Sequence, residues 1–409
     1  MGENPAESVV ITGIGAITAF GAGTGPLIDG LLSGRTGIRP IEIFDTSRYR
    51  TKVAAEISTI PELELNRREQ KGMSRCDRLA VTAAEEALRA ADWESIPSER
   101  IGIVFGAGAG GMLEAERYFR RFLEEGATTR ARWRCLGSQL PNAATDWLAV
   151  RFGTKGPKAT ISTACSSSAT AIGYGADLIR AGEADAILAG GAEALCEVTF
   201  AGFNSLRAVD PAGCRPFDRD RNGLSLGEGA AAILLERESL ARSRGVKPLA
   251  RMRGYGITAD AHHMTTPPED GRGATAAIRQ ALRTTGLEPE EVDFISAHGT
   301  ATRANDVVEA RAIARTFGES AAHTPVHSIK SSVGHCLGAS GAVEAVALLL
   351  SLESGAVPAT YGLEHQDESM PTLDLVRGSP RRRPLRIGMS NSFAFGGNNT
   401  VLIFEGIDS

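Results

Sequence analysis

The stretch KATISTACSSSATAIGYGADLIR, residues 158–180, combines three local patterns and indicates the fold class. It begins with a β-branched run typical of a strand, turns through small residues around Cys165, and ends in a periodic segment typical of a helix. Such a corner presents a side chain at the start of a helix. It raises the question of whether Cys165 is a nucleophile or a packed core residue.

The same pattern returns in the second half of the chain. The strand PVHSIK, closed by Lys330, leads into the corner SSVGHCLGAS, which carries His335, and then into an apolar helix. Likewise IGIVFGAGAGG at 101–111 resembles VDFISAHGTAT at 292–302, because each is a strand followed by a loop of tiny residues. Alternating strands and helices predict an α/β protein, and two copies of one unit predict loops that face a common cleft.

The composition is that of an ordinary globular protein, with 42% hydrophobic and 23% charged residues. A charged turn near residue 250 precedes a new strand, so we divide the chain into an N-terminal half, 1–250, and a C-terminal half, 251–409. The formal net charge of −5 provides no field that favours nucleic acid.

Cysteine usage and the apolar segments indicate a cytoplasmic protein. The six cysteines show no C-x-x-C pair, which argues against a disulfide framework or a structural zinc site. The amino terminus lacks the basic and apolar regions of a secretory signal. The apolar run AVEAVALLLSL at 342–352 contains Glu344 and is too short to span a bilayer, so we expect no membrane segment.

Cys165 has two readings. An isolated cysteine is commonly a small buried residue. A thiol at a helix N-terminus, however, meets the positive end of the helix dipole and unpaired backbone N–H groups, which favour the thiolate and can hold an oxyanion. The small neighbours of Cys165 leave room for a substrate, which favours the catalytic reading.

Two of the seven histidines lie where a partner for the thiol is expected. His298 and His335 each follow a predicted strand and sit among glycine, serine and threonine, as exposed catalytic side chains do. Pro325 separates His323 from His327 and breaks the helix that would align them as metal ligands. The remaining histidines lie in polar segments that predict solvated positions: His262, His263 and His365.

Lys330 precedes His335 by five residues in apolar surroundings, and Glu344 lies on the following helix. A buried lysine requires a partner, and Glu344 is the natural one.

Two motif matches are misleading. GAGAGG at 106–111 satisfies the dinucleotide-binding pattern G-x-G-x-x-G, but no second strand with an acidic end follows at the distance that the ribose site requires. GLSLG at 223–227 matches the hydrolase elbow G-x-S-x-G, but the strand follows the motif instead of preceding it.

Taken in order, five motifs resemble those of the β-ketoacyl-acyl-carrier-protein synthases, condensing enzymes of the thiolase superfamily. They are TACSSS at 163–168, RPFDRDRNGLSLGEGAAAILLE at 215–236, AHGTAT at 297–302, GHCLGASGAVEA at 334–345 and SNSFAFGGNN at 390–399. The resemblance implies an α/β, thiolase-like five-layered αβαβα fold built from two similar halves. The paired histidines resemble the elongating synthases, whereas the initiating synthases pair a histidine with an asparagine.

The resemblance also implies the chemistry. Cys165 takes an acyl chain from an acyl-carrier protein as a thioester, and His298 and His335 stabilise the enolate formed when a malonyl thioester loses CO2. The backbone N–H groups of Cys165 and Phe395 receive the oxyanion, and Lys330 with Glu344 holds the histidine site. No cofactor is expected besides the carrier's phosphopantetheine arm. Four further residues are expected to support the site or contact that arm: Thr300, Thr302, Asp306 and Glu309.

The acyl pocket implied by the resemblance contains Ala109, Phe203 and Phe393. Elongating synthases usually carry a bulky aliphatic residue where Ala109 stands, so we predict a wider pocket that tolerates long or rigid chains. Ala394 stands where relatives commonly have glycine, and losing glycine restricts positive φ beside the gating residue Phe395.

Partners are implied in the same way. Arg67, Arg68 and Lys71 resemble the basic face that docks the acidic carrier protein, and a solvated helix end is the alternative reading. The family forms dimers, so a homodimer or a heterodimer with a related ketosynthase-like subunit is expected. Asn305 before Asp306 is more like polyketide and polyene synthases than fatty-acid ones.

Two other classes remain as alternatives. A non-condensing, chain-length-factor-like subunit of a heterodimeric polyketide synthase generally lacks the active-site cysteine, which is present here. A degradative thiolase uses a second cysteine near its C-terminus, and the last cysteine here is Cys336.

Overall fold

In the computed structural model, residues 7–89, 91–126 and 133–407 are described. The strands of this part of the chain, in order, are β1 Val9–Thr18, β2 Gly21–Ala22, β3 Ile38–Pro40, β4 Val53–Ala55, β5 Ile101–Gly106, β6 Lys158–Ile161, β7 Ala186–Glu193, β8 Gly229–Arg237, β9 Ala250–Ala259, β10 Phe294–Ser296, β11 Pro325–His327, β12 Ala356–Val357, β13 Asp374–Leu375, β14 Arg381–Arg382, β15 Ile387–Ala394 and β16 Asn398–Gly406.

The α-helices within the same ranges are α1 Thr24–Leu32, α2 Arg67–Gly72, α3 Arg75–Arg89, α4 Met112–Glu125, α5 Ala143–Phe152, α6 Ser167–Arg180, α7 Glu197–Ser205, α8 Glu238–Ser243, α9 Arg272–Thr285, α10 Arg303–Phe317, α11 Lys330–Val333 and α12 Ser340–Ser354. Short 3-10 turns at Ala164–Ser166 and Leu337–Ala339 precede α6 and α12.

One continuous sheet contains both copies of the repeated unit. Its strand order is β13-β11-β10-β15-β16-β9-β1-β8-β7-β5-β6, with β2 paired to β1. From the centre outward, β1, β8, β7, β5 and β6 correspond to β9, β16, β15, β10 and β11. In both halves the outer pairs are parallel and the inner pairs are antiparallel. The internal repeat predicted from the sequence is confirmed.

Helices α6 and α12 form the middle layer between the two halves of the sheet, and α3 and α9 cover the outer faces. The two central helices cross closely at Gly341, where a Cβ atom would lie 2.7 Å from the Cβ of Ala169. The small residues of both segments therefore serve the packing of the central helices. The predicted five-layered αβαβα architecture is confirmed.

Both strand-to-helix corners contain a non-glycine residue at positive φ, Ala164 at 54° and Leu337 at 45°. Because each residue opens the 3-10 turn before its helix, Cys165 corresponds by position to Gly338 and not to His335. Lys330 also differs from the sequence expectation, since β11 ends at His327 and Lys330 begins the single turn of α11.

One helical window among the described residues, Leu337–Ser354, is long and apolar enough to cross a membrane, and 83% of it is buried inside the protein. This window is longer than the apolar run read from the sequence. The window is buried because it contains α12, a central helix of the fold that packs against apolar layers on both sides.

Candidate active site

Cys165, His298 and His335 meet in one buried cluster beyond the ends of β6, β10 and β11. The Cys165 sulfur lies 3.1 Å from His335 Nε2, and the two imidazole rings lie edge to face with centroids 5.4 Å apart. Cys165 is 7% exposed and each histidine is 1% exposed. The structure thus brings together the three side chains that the sequence analysis singled out.

The contacts of His335 identify the ring nitrogen that carries its proton. The backbone N–H of Leu337 donates to His335 Nδ1 at 3.2 Å, and the hydroxyl of Ser340 lies 2.8 Å from the same atom. A nitrogen that accepts from a backbone N–H carries no proton, so we assign the proton of the neutral ring to Nε2. This tautomer directs an N–H donor toward the Cys165 sulfur.

Lys330 has the same effect on His298. Its Nζ lies 3.2 Å from His298 Nδ1 and pairs with the Glu344 carboxylate, and both charged side chains are buried. An ammonium group can only donate, so His298 Nδ1 accepts and its proton also resides on Nε2. The expected pairing of Lys330 with Glu344 is present, and it orients a second N–H donor.

Burial determines the protonation states. It lowers the pKa of both histidines well below the ordinary 6.5, and the charge of Lys330 lowers the pKa of each further. Both rings are therefore neutral at physiological pH. Burial also raises the pKa of Cys165 to about 11, although the charge of Lys330 opposes this. The resting group is therefore a thiol and not the thiolate expected at a helix start, because burial disfavours the charged form.

The backbone N–H groups of Phe395 and of Cys165 itself hydrogen-bond the Cys165 sulfur. Their role as an oxyanion hole stays a prediction.

The expected supporting residues divide into two groups. Thr300 and Thr302 line the cavity beside the cysteine, and their hydroxyls lie 2.9 Å apart. Glu309 and Asp306 lie behind them: Glu309 accepts from the backbone N–H groups of His298 and Gly299 at 2.8 Å, and Asp306 accepts from that of Ala301 at 3.1 Å. The two carboxylates hold the loop that carries His298.

The cavity at Cys165 has a volume of about 60 Å³ and an aromatic wall. Phe203 stacks on Phe395 with ring centroids 5.9 Å apart, and Phe393 packs against His298 at 6.3 Å. Ligand pockets usually measure about 300–1,000 Å³, so this conformation is closed to an acyl chain.

Sequence reasoning missed part of the cavity wall. Asp260, His263 and Asn399 line it, together with a threonine-rich loop, Thr265 to Pro267. His263 is exposed, as expected for a solvated loop, but its Nδ1 accepts from the backbone N–H groups of Thr265 and Thr266 and shapes that loop. The clustered TTPP residues after the two histidines were the available signal.

Ala109 lies outside this cavity. Its backbone N–H donates to the buried Glu193 carboxylate at 2.8 Å, and the N–H groups of Gly108 and Gly338 donate to the same carboxylate at 2.9 and 3.1 Å. The amides of the GAGAGG loop are therefore occupied within the protein, which agrees with rejecting a phosphate-binding role for that motif. The role of Ala109 as the gate of an acyl pocket stays a prediction.

Ala394 adopts φ −113° and ψ 157°, an extended conformation open to any residue. The positive φ angles of this loop occur at Gly396 and Gly397, at 79° and 72°. Alanine is thus compatible with the closed position of Phe395.

The residues expected to dock the carrier protein lie on α2. Arg67 and Arg68 are exposed, and Lys71 lines an open groove between α2 and α4 that also contains Arg78 and Arg121. Asn66 caps this helix together with Glu69, so the basic side chains project from a fixed turn.

By distance alone, the cysteine and both histidines could hold a metal ion, because one ligand atom from each lies within 4.8 Å of the others. The Lys330 ammonium, 3.2 Å from His298, disfavours a dication there.

Comparison with known proteins agrees with the fold. Residues 6–241 match the family model described as "Beta-ketoacyl synthase, N-terminal domain", and residues 249–364 match "Beta-ketoacyl synthase, C-terminal domain". The chain is 40% identical to the 3-oxoacyl-[acyl-carrier-protein] synthase 2 of Synechocystis sp., with 98% of each chain covered.

Two solved structures are similar over nearly the whole chain. The ishigamide ketosynthase/chain length factor aligns with a TM-score of 0.91 at 35% identity, covering 98% of this chain and 100% of that one. A type II polyketide synthase ketosynthase bound to its hexaketide, solved with its acyl-carrier protein, aligns with a TM-score of 0.88 at 28% identity and the same coverage. The chain belongs to the β-ketoacyl synthase family.

Proposed function

We propose that this protein condenses a malonyl group, carried by an acyl-carrier protein, with an acyl chain held on Cys165, in the biosynthesis of a fatty acid or a polyketide. The observation that supports the proposal most directly is the convergence of one thiol and two imidazole Nε2–H donors on a single cavity. This arrangement provides a nucleophile for acyl transfer and donors for a developing enolate.

The first step is acyl transfer from the carrier's arm to Cys165. The sulfur attacks the thioester carbonyl, and the backbone N–H groups of Cys165 and Phe395 stabilise the tetrahedral oxyanion. The bond from the carbonyl to the arm's sulfur breaks. The proton of the Cys165 thiol ends on the departing arm thiol, so no external base is consumed.

The second step uses the two histidines. A malonyl thioester placed with its carbonyl oxygen between His298 Nε2 and His335 Nε2 loses CO2, and the electron pair of the broken bond forms an enolate that both N–H groups stabilise. The enolate carbon then attacks the acyl-cysteine carbonyl, the bond from that carbonyl to the Cys165 sulfur breaks, and the departing thiolate takes a proton from water. Neutral imidazoles suit this role, because each keeps its Nε2 proton and can donate a hydrogen bond through it.

The closed cavity implies a gate. A space of about 60 Å³ cannot hold an acyl chain together with a malonyl group. We infer that Phe395 leaves its stacked position on Phe203 when the carrier's arm enters. In the closed conformation, the stacked pair separates the substrate cavity from the acyl pocket.

Single substitutions separate the two steps. Cys165→Ala should abolish acyl transfer and condensation while leaving decarboxylation of malonyl-carrier protein measurable. His298→Ala should leave acylation of Cys165 measurable by mass spectrometry and lower decarboxylation by about 10²–10³-fold, as loss of one oxyanion donor does. Full condensation by either variant would refute the assignment, and an Arg382→Ala variant serves as the surface control.

The carrier protein is proposed to dock on the basic turn of α2. Arg67→Glu with Arg68→Glu should raise the KM for carrier-bound substrate and spare a small thioester surrogate, because only the carrier has an acidic surface. An equal loss with both substrates would contradict docking at α2. A Lys155→Glu variant reverses another exposed charge and controls for net charge.

A second ketosynthase-like subunit, either a copy of this chain or a chain length factor, is the proposed dimer partner. Helix α4 exposes Phe119, Phe122 and Leu123 at 50%, 41% and 83%, and β6 is an open edge of the sheet. Exposed apolar patches and open edges are common interaction sites. Phe122→Glu with Leu123→Glu should give a monomer in light scattering, and an unchanged mass would argue against this face.

We also infer a cytoplasmic location. All six cysteines are buried, and none forms a disulfide with another described residue, as expected in a reducing compartment. The active thiol chemistry requires the same environment.

A further inference from the structure

A groove lined by arginines lies between α9 and α10 on the outer helical layer. It has a volume of about 590 Å³ and contains Arg272, Arg279, Arg283 and Arg315. The first three share one face of α9, because seven and then four residues separate them along a helix. The groove shares no lining residue with the cavity at Cys165, so it is a separate feature.

The positive charge of this groove is largely uncompensated. No aspartate or glutamate is among the described residues that line it. Arg272 pairs with Asp270 at the rim at 3.8 Å, whereas Arg279, Arg283 and Arg315 form no ion pair with any described residue. Arg279 donates to the backbone carbonyl of Arg315 at 3.3 Å, which fixes its position and leaves its other N–H groups available.

A buried hydroxyl without a partner lies in the same groove. Thr275 is 7% exposed, and its Oγ1 has no hydrogen-bond partner among the described residues. Other threonines of α9 behave differently, since Thr284 and Thr285 donate to the helix carbonyl of Ala281. A hydroxyl that is withdrawn from water and bonded to nothing is unfavourable, and native proteins usually provide such a group with a partner. The oxygen is closed to water in this conformation, so a ligand in the groove would reach it after a movement of neighbouring side chains.

We propose that this groove binds the phosphate group of a small ligand. A guanidinium presents a planar fork of donors that matches phosphate oxygens, and several forks can share one tetrahedral anion. A phosphate has enough acceptor oxygens to receive the arginines of the rim and the Thr275 hydroxyl together, whereas a carboxylate offers only two. A buried hydroxyl among surface cations therefore fits a compact phosphate better than the side chains of an acidic protein surface.

The shared chemistry is a phosphate monoester or diphosphate, which has two sources: a free phosphate compound or the nucleotide part of a coenzyme. The site does not depend on the condensing reaction proposed above. Its occupancy is therefore tested on enzyme whose Cys165 has been alkylated, and failure of either proposal leaves the other unaffected.

The test is calorimetric titration of the alkylated full-length protein at about 50 mM salt, where arginine–phosphate attraction is little screened. The probes are inorganic diphosphate and adenosine 3′,5′-bisphosphate. We expect saturable one-to-one binding, weakened at least tenfold by Arg279→Ala with Arg283→Ala and severalfold by Thr275→Val. Tighter binding of the bisphosphate identifies a nucleotide source, and equal binding identifies free phosphate compounds.

The matched control is Arg382→Ala with Arg383→Ala, which removes two exposed cations at β14 and should leave binding unchanged. Equal weakening by that control would show only general charge attraction and would overturn the proposal. Absence of saturable binding by both probes would also overturn it. A third result would also overturn it: neither probe binds, but the Arg279/Arg283 variant loses affinity for an apo-carrier protein. The occupant of the groove would then be a protein.

Discussion

Replacing Lys330 with methionine tests whether this residue orients His298 or only stabilises the fold. Methionine has a similar length but cannot donate, so His298 Nδ1 loses the ammonium that lies 3.2 Å away. A hydrogen bond to a charged group contributes about 1.5–3 kcal/mol. At 1.36 kcal/mol for each factor of ten, decarboxylation of malonyl-carrier protein should fall by about 10- to 100-fold. Acylation of Cys165 does not use His298 as a donor and should fall less, through the loss of the Lys330 charge that lowers the pKa of Cys165.

The stability of the same variant provides the second measurement. Lys330→Met leaves Glu344 buried at 2% exposure without its ion partner, and breaking such a pair costs about 3–5 kcal/mol of unfolding free energy. Replacing both residues, Lys330→Met with Glu344→Met, should restore most of that stability because no uncompensated charge remains. Denaturant unfolding measures both values.

The pair of variants separates positioning from folding. If the double variant regains stability but not decarboxylation, Lys330 acts on His298. If activity returns together with stability, the reasoning is refuted and the ion pair is only structural.

The pH dependence of the single variant has a defined sign. Burial already raises the pKa of Glu344 to about 7 in the intact pair, and loss of Lys330 raises it further. A carboxyl whose folded pKa is raised contributes stability that is complete below its unfolded pKa, near 4.5, and is lost as pH rises through the folded value. The wild type loses this contribution by about pH 7, so the stability difference from the wild type should grow as pH rises above about 7.

Three further outcomes are expected. Alkylation of Cys165 by iodoacetamide should accelerate about tenfold per pH unit up to a pKa of about 11, since burial keeps the thiol protonated, and a plateau near pH 7 would show that the helix dipole prevails. Ala394→Gly should lower stability by about 0.5–1 kcal/mol and speed acylation; an unchanged rate would mean that Phe395 moves without a positive φ at 394. Glu193→Gln, which loses an acceptor for the amides of Gly108 and Ala109, should cost about 1–3 kcal/mol and alter chain-length preference in a competition assay, whereas unchanged preference would make the tie purely structural.

Local patterns in the sequence were sufficient for the α/β class and the internal repeat, whereas the five-layered arrangement was implied by the family resemblance. The alternation of β-branched runs with alanine-rich segments identified β6 with α6 and β11 with α12, and the resemblance of 101–111 to 292–302 identified β5 and β10 as equivalent strands. Whether a segment forms a strand or a helix depends mainly on residues close together in the sequence, so the spacing of apolar residues predicts it. The same reasoning found Cys165, His298 and His335, because catalytic side chains at strand ends leave a trace of small residues.

Properties that depend on contacts between distant segments could not be predicted from local sequence patterns. The thiol state of Cys165 follows from its burial, which raises the pKa and depends on segments far apart in the chain. The Nε2 tautomer of His335 depends on a backbone N–H from Leu337, whose positive φ of 45° no propensity predicts. The wall formed by Asp260 and Asn399 joins segments far apart in the chain.

The two corners of the repeat show how one unit has acquired two chemical roles. In the first corner the position after the positive-φ residue carries Cys165, and in the second the equivalent position is Gly338. A Cβ at Gly338 would lie 2.7 Å from the backbone nitrogen of Gly108 and 2.9 Å from the Glu193 carboxylate, so a side chain cannot be accommodated there. The second corner instead contributes His335, three residues earlier, which reaches the Cys165 sulfur. The two repeats thus differ at the position where the loop of Gly108 packs against the second corner, and this difference pairs the thiol of one repeat with the imidazole of the other.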